Sequence, residues 1–249
     1  MDKPLLVRHS VLLSMTRQVG VRRAANAIED ALRARFPGKY VQPQTLPVPD
    51  DMDPEFPRVI FTTSSGFTQI VISQVAVALN VGYSPDWARD HKGVEYLRER
   101  VPVLFEIVAA INPEIRTLFT GVTTVFHVKT ANPAASVAKV ARCFSSPEFG
   151  EANELNFRRS IAREGSYYDN LSVQTFARWS EQLIGNASGV PRMSIESATE
   201  TGIEIVGDFN DRFAYNETES YFTTPKAVEV LLDRGYGAAL RAAEMFTEE

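Results

Sequence analysis

The stretch Gly207-Asp208-Phe209-Asn210-Asp211-Arg212 follows the alternation Ile203-Glu204-Ile205-Val206 and sets two carboxylates, a carboxamide and a guanidinium side by side. Oxygen donors gathered at a strand end can hold a magnesium ion and aim a water at phosphorus. That chemistry needs more ligands and a general base. The histidines are His9, His91 and His127, all upstream of the motif and too dispersed to form a ligand set at helical or turn spacing. The structural reading is that Gly, Asp and Asn gather where a strand meets a turn. On that reading Asp208 and Asn210 terminate a strand ending at Val206, and Arg212 pairs with a nearby carboxylate. We expect the structural role, with neither metal nor cofactor.

The remaining reactive side chains read in the same way. Cys143 is the single cysteine, so an intramolecular disulfide is ruled out. Within Ala138-Lys139-Val140-Ala141-Arg142-Cys143-Phe144, an amphipathic helical pattern, it is expected to be a small buried apolar residue. His127 has the parity opposite to Phe126 and Val128 and should be partly exposed or hydrogen-bonded; His91 follows the polar loop Asp86-Trp87-Ala88-Arg89-Asp90. Ser64-Ser65-Gly66 reads as a hairpin turn. The sequence holds no nucleophile elbow, phosphate loop or dinucleotide fingerprint.

Candidate binding residues are aromatic. Tyr83 and Trp87 join a strand to a helix, Tyr167 and Tyr168 precede Asp169-Asn170 between two strands, and Tyr215 and Tyr221 precede the last helix. Rings mixed with Asn, Asp and Ser in loops suit recognition surfaces; the alternative is that each ring seals an end of the core. Arg158, Arg159 and Arg163, followed by Tyr167 and Tyr168, offer a meeting point for an anionic partner. Glu154 and Glu164 flank them, so a solvated face of mixed charge is the expectation.

The elements that must position these residues follow from periodicity. Leu5 to Met15 reads as a strand. Val21, Ala24, Ile28, Leu32 and Phe36 mark a helix over 19–36, ended by Pro37-Gly38 and framed by arginines. A loop over 41–57 carries five prolines and the run Asp50-Asp51-Met52-Asp53. A hairpin follows, from Val59-Ile60-Phe61 through Ser64-Ser65-Gly66 into one long arm, Gln69 to Leu79. A helix over 94–111 should kink or restart at Pro102. A strand over 115–130 and a short helix opened by Asn132-Pro133 come next. Strands are expected over 155–164 and 170–179, then a hairpin from Arg192 to Phe213 turning near Glu200-Thr201-Gly202. Thr224-Pro225 caps a terminal helix to Phe246, with a break at Gly235 and Gly237.

Strands adjacent in sequence without crossover helices imply antiparallel pairing, hence an α+β fold: a mainly antiparallel sheet with helices on one side. The chain reads as a single domain over 1–249, and the helix after hairpin in each half suggests related subdomains, 1–147 and 148–249. Val59, Phe61, Val75, Val77, Leu79, Leu104, Phe105, Val122, Phe126, Ile203 and Ile205 form the expected core.

With 26 basic and 31 acidic residues the formal charge is −5, which offers no general attraction to nucleic acid or anionic membrane. The first residues lack a signal-peptide pattern and no stretch reaches the ~20 apolar residues of a membrane helix. The expectation is a cytoplasmic protein whose partner is another protein or a second copy of itself.

Two resemblances add to this reading. Gly207-Asp208-Phe209-Asn210 resembles the signature of the endonuclease/exonuclease/phosphatase family, which implies a metal-dependent phosphodiesterase centred on Asp208. That family also uses a metal-binding Glu near the N-terminus and a late Ser-Asp-His run, and no histidine follows the motif here. More broadly, Phe36-Pro37-Gly38-Lys39-Tyr40, the run Gln69 to Leu79, Tyr83-Ser84-Pro85-Asp86-Trp87 and the run Gly202 to Arg212 are similar to a set of sporadically distributed bacterial proteins of like length. That similarity implies an accessory, partner-binding role at mobile or defence loci and assigns no catalytic residue.

Overall fold

A computed structural model describes residues 3–84, 87, 92–143, 152–163, 166–180 and 194–247. The strands are β1 (Leu5–Met15), β2 (Gln44–Thr45), β3 (Val59–Thr62), β4 (Thr68–Ile72), β5 (Ala76–Gly82), β6 (Thr117–Lys129), β7 (Asn156–Arg163), β8 (Tyr167–Arg178) and β9 (Glu200–Asn210). The α-helices are α1 (Ala25–Arg35), α2 (Gly93–Ile111), α3 (Pro133–Cys143), α4 (Arg212–Glu217) and α5 (Pro225–Glu244). The strands form one sheet in the order β2-β3-β4-β5-β1-β6-β9-β8-β7, and every neighbouring pair is antiparallel. The fold is α+β, as the adjacency of strands implied. The sheet runs unbroken through the middle of the chain, where β6 pairs with β9 from Gly121↔Asn210 to Lys129↔Gly202.

Side chains alternate across a strand, and one face of the sheet is dry: Val11 and Leu13, Val59 and Phe61, Ile70 and Ile72, Val77 and Leu79, Ile203 and Ile205 are all buried. The long helices lie against this face. Leu97, Val101, Leu104 and Val108 place the stripe of α2 there, and Val228, Leu231, Leu232 and Ala239 do so for α5, which crosses β6 and β9. Each buried Val, Leu, Ile or Phe among them contributes about 1.5–3 kcal/mol on leaving water. The helix α3 lies on β8 and β9, and α1 packs on α2 through Ile28 and Leu32. The other face carries Arg8, Ser10, His127, Asn170, Gln174, Glu204 and Asp208.

Several expectations are corrected. The arm Gln69 to Leu79 is two strands, because the Ser73 hydroxyl accepts from the amides of Val75 (3.2 Å) and Ala76 (3.0 Å) and closes a turn inside the apolar run. Val75, in that turn, is only half-buried, and so is Phe105. Pro102 does not restart α2, which runs as one helix from Gly93 to Ile111 with a buried stripe on both sides of the proline. The expected hairpin turn at Glu200-Thr201-Gly202 is the start of the single strand β9, while Arg192 lies outside the described residues. Gly202 serves close approach: a Cβ there would meet the Phe176 ring at 2.8 Å. The helix α5 passes through Gly235 and Gly237 without a break, and Gly235 is buried against Phe209. Cys143, expected in the core, is the exposed last residue of α3.

Other local expectations hold. Asn132 caps α3 by accepting from the Ala135 amide (2.8 Å), Thr224 caps α5 from Ala227 (3.3 Å), and Gly66 takes a positive φ of 77° in the turn after β3. The proline-rich loop over 41–57 is fastened down. Arg58, 1% exposed, donates to the carbonyls of Phe56 (2.7 Å), Pro49 (3.2 Å) and Asp53 (3.2 Å). Arg22 donates to Val48 (2.7 Å) and to the Asp50 carboxylate (2.6 Å).

Candidate anion-binding cleft

The strands β7 and β8 pair with Arg159 opposite Leu171, Ile161 opposite Asp169 and Arg163 opposite Tyr167. These odd-numbered positions share the face on which the helices lie. The helix α5 covers β6 and β9 but stops short of the sheet edge, leaving a cleft of about 840 Å³ between itself and the β7–β8 pair. Arg159, Arg163, Tyr167 and Asp169 line one side of it, Phe209 also borders it, and Arg234, Ala238 and Arg241 come from α5. The three α5 residues are four and three positions apart, one face of a helix.

Four guanidinium groups therefore open on one space with, among the described residues, a single carboxylate. The Asp169 carboxylate accepts from Arg163 Nε at 2.7 Å through Oδ2, while its buried Oδ1 has no hydrogen-bond partner among the described residues. The Arg234 guanidinium lies 4.7 Å from the centre of the Tyr167 ring, a cation–π contact that holds it over the cleft. Arg159, Arg234 and Arg241 make no ion pair among the described residues. Like charges confined to a concave space attract a counter-charge, and guanidinium forks suit carboxylates and phosphates.

The six aromatic candidates divide. Tyr167 lines the cleft, and Tyr221 lines an adjoining hollow of about 340 Å³ that shares Ser166 and Tyr167 with it. The Tyr221 hydroxyl donates to Asp211 Oδ2 at 2.6 Å, and burial first, then that carboxylate, pushes its pKa up. Tyr168 and Tyr215 pack against Phe213 and Phe119, with ring centres 5.3 and 5.6 Å apart. Tyr83 and Trp87 stack at 6.3 Å far from the cleft, beside Tyr96, around a hollow of about 250 Å³. The Tyr83 hydroxyl donates to the Gly93 carbonyl (3.2 Å) and its oxygen accepts from His9 Nδ1 (3.0 Å); burial raises its pKa. Tyr83 packs against the core, while Trp87 is 44% exposed at the rim of that hollow.

The strand does not end at Val206: β9 continues through Asp208 and ends at Asn210. They lie on the face away from the helices, where the Asn170 amide donates to Asp208 (3.2 Å) and the Ser160 hydroxyl donates to Asn170 (2.6 Å). The structural acid of the motif is Asp211, 2% exposed, which accepts from the Thr120 amide at 2.6 Å and from Tyr221. Arg212 is set over the Phe119 ring, 5.3 Å from its centre. On the same outer face buried His127 donates to Glu204 (3.0 Å), and Gln174 donates to the other oxygen (2.5 Å). The His127 hydrogen bond is the main cause that holds the Glu204 carboxyl below its usual range, with burial opposing it. No group of three or more His, Cys, Asp or Glu among the described residues is placed to hold a metal ion. His91 and Glu164 lie outside the described residues.

The strand arginines could be singled out in the sequence, but Arg234 and Arg241 could not. Their spacing on one helical face was the available signal. Among the described residues, exposed Glu154 does not line the cleft.

No protein-family model matches the sequence, and no characterised protein matches it in sequence. Among solved structures, the duplicated taurocyamine kinase from Schistosoma mansoni with bound transition-state-analogue components aligns over 96% of this chain and 33% of that one, at 12% identity and a TM-score of 0.35. The chain thus spans about a third of that kinase's length, and a likeness so slight assigns neither fold nor activity. No helix among the described residues is long and apolar enough to cross a membrane.

Proposed function

We propose that the chain is a non-enzymatic protein-interaction component that takes an anionic segment of a partner protein into the cleft between β7, β8 and α5. The observation that carries this reading is the convergence, among the described residues, of Arg159, Arg234 and Arg241, without ion-pair partners there, on a space where the carboxylate of Asp169 already has Arg163. In a chain of net charge −5 such a gathering of one sign is local and directional. It accords with the accessory role implied by the sporadically distributed bacterial proteins.

The reading is tested with the double variant Arg234→Glu, Arg241→Glu. Both residues are exposed, so folding stability should stay within about 0.5 kcal/mol of the parent. Binding of a fluorescent oligoglutamate, followed by anisotropy, should weaken at least tenfold, about 1.4 kcal/mol. Equal binding by parent and variant, or none by the parent, removes the cleft from consideration. The competing phosphodiesterase is tested by hydrolysis of a generic phosphodiester with magnesium or manganese. Turnover that Asp208→Ala abolishes in a folded protein would replace this proposal.

A further inference from the structure

Beside the cleft, β7 is the last strand of the sheet, and its register fixes which backbone groups are spoken for. Thr175 N donates to Leu155 O at 2.9 Å, just before the ladder in which Asn156 faces Gln174. In an antiparallel pair, opposed residues alternate between exchanging both hydrogen bonds and exchanging none. Residues 157, 159, 161 and 163 therefore turn their N–H and C=O toward β8. Asn156, Arg158, Ser160 and Ala162 turn theirs outward, where no backbone hydrogen bond among the described residues reaches them. All four are exposed.

From this we infer that the anionic partner is an extended acidic segment that adds to β7 as a tenth strand. The inference rests on the anion-binding reading of the cleft and specifies its occupant. Main-chain pairing to an open edge supplies affinity without regard to sequence, and alternate side chains supply the choice of partner. A strand beside β7 would send every second side chain toward the helix side, next to Arg159 and Arg163 and the mouth of the cleft with Arg234 and Arg241. The others would lie next to Arg158. Every charged residue of β7 is an arginine, so acidic residues in an added strand meet opposite charge. A second copy of β7 would bring only arginines and no carboxylate to the new pair, gathering like charge that destabilises it. That argues for a different chain as the occupant.

The test uses the full chain and a fluorescein-labelled, acetylated octapeptide alternating Glu and Thr, with anisotropy as readout. Two further peptides are N-methylated at the even or at the odd residues, because an added strand bonds through one edge only. We expect saturable binding by the parent peptide, a loss of at least tenfold for one methylated peptide, and a change under threefold for the other. Ala162→Pro should also cost at least tenfold: it removes an outward N–H and leaves the β8 ladder, a position where edge strands tolerate proline. A thermal melt checks that this variant folds, and the methylated peptides decide the matter if it does not. Equal binding by all three peptides overturns strand addition, as does tighter binding of a single-stranded oligonucleotide or self-association that Ala162→Pro abolishes. If inorganic tripolyphosphate binds in a manner sensitive to Arg234→Glu, Arg241→Glu while the parent peptide does not, this inference fails and the cleft reading stands. If neither binds, both fail.

Discussion

At one border of the sheet the last strand, β2, is two residues long and sits in a loop with five prolines. At the other, β7 is eight residues long, holds no proline and is largely exposed. An open edge is a template for another strand, and short edge strands and prolines are common defences. The β2 border is closed further by buried Arg58, which binds several loop carbonyls, and by Gln74, which reaches the Asp50 carbonyl at 3.0 Å. Among the described residues only charge guards the β7 border, and charge repels some chains while admitting others. The same sheet therefore ends once in a barrier and once in a filter.

The sharpest way to break this comparison is to exchange an arginine at each border for an apolar residue. Arg58→Met leaves carbonyls buried without donors, each costing about 1–3 kcal/mol, so urea denaturation should show a loss of about 3 kcal/mol. Arg159→Met, at an exposed site, should change stability by no more than about 0.5 kcal/mol. Equal losses would mean that the β2 border is no more fastened than the β7 border.

The dry side of the sheet should also show itself through pH. Burial lowers the pKa of His9 from 6.5 to about 3, so the folded state keeps the imidazole neutral while the unfolded chain binds a proton near pH 6.5. Stability from this group is whole above pH 6.5 and is lost as pH falls toward about 3, at up to ~1.4 kcal/mol per pH unit. Between pH 6.5 and 5 the loss should approach 2 kcal/mol in denaturant titrations, and His9→Leu should remove that slope. An unchanged slope in the variant would place the acid sensitivity elsewhere.

A smaller effect separates the acids of one motif. Asp211→Ala strands the buried Thr120 amide and should cost about 1–2 kcal/mol, whereas Asp208→Ala gives up one hydrogen bond from Asn170 and should cost about 0.5 kcal/mol. Thermal melts of the two variants measure the difference, and a larger loss for Asp208→Ala would reverse the assignment.

Alternation made most of this architecture legible in the sequence. Val77 and Leu79, Val122 and Phe126, Ile203 and Ile205 were placed on buried faces by parity, and the stripe of α2 by helical spacing. What stayed hidden depended on partners distant in the chain. The Ser73 turn interrupts an apolar run with no glycine or proline to mark it. Gly202 resembles a turn residue until Phe176 is found above it, and Asp211 gains its meaning from Thr120, ninety-one positions away. The cleft was half visible: Arg159 and Arg163 could be read as a basic strand, but their companions on α5 belong with them only because that helix lies across β9.

How far α5 stands from β9 is set by residues that carry almost no side chain. A Cβ on Gly207 would come within 3.1 Å of the Ala239 Cβ and 3.3 Å of the Gly235 carbonyl oxygen, and one on Gly235 within 3.2 Å of the Phe209 ring. The two glycines act as a gauge block for a pair of jaws: they fix the gap across which Arg234 and Arg241 face Arg159 and Arg163 without touching whatever enters it. A single methyl group at position 207 would press the upper jaw outward by a few tenths of an ångström, carrying Arg234 and Arg241 with it, and reset the calibre of the opening.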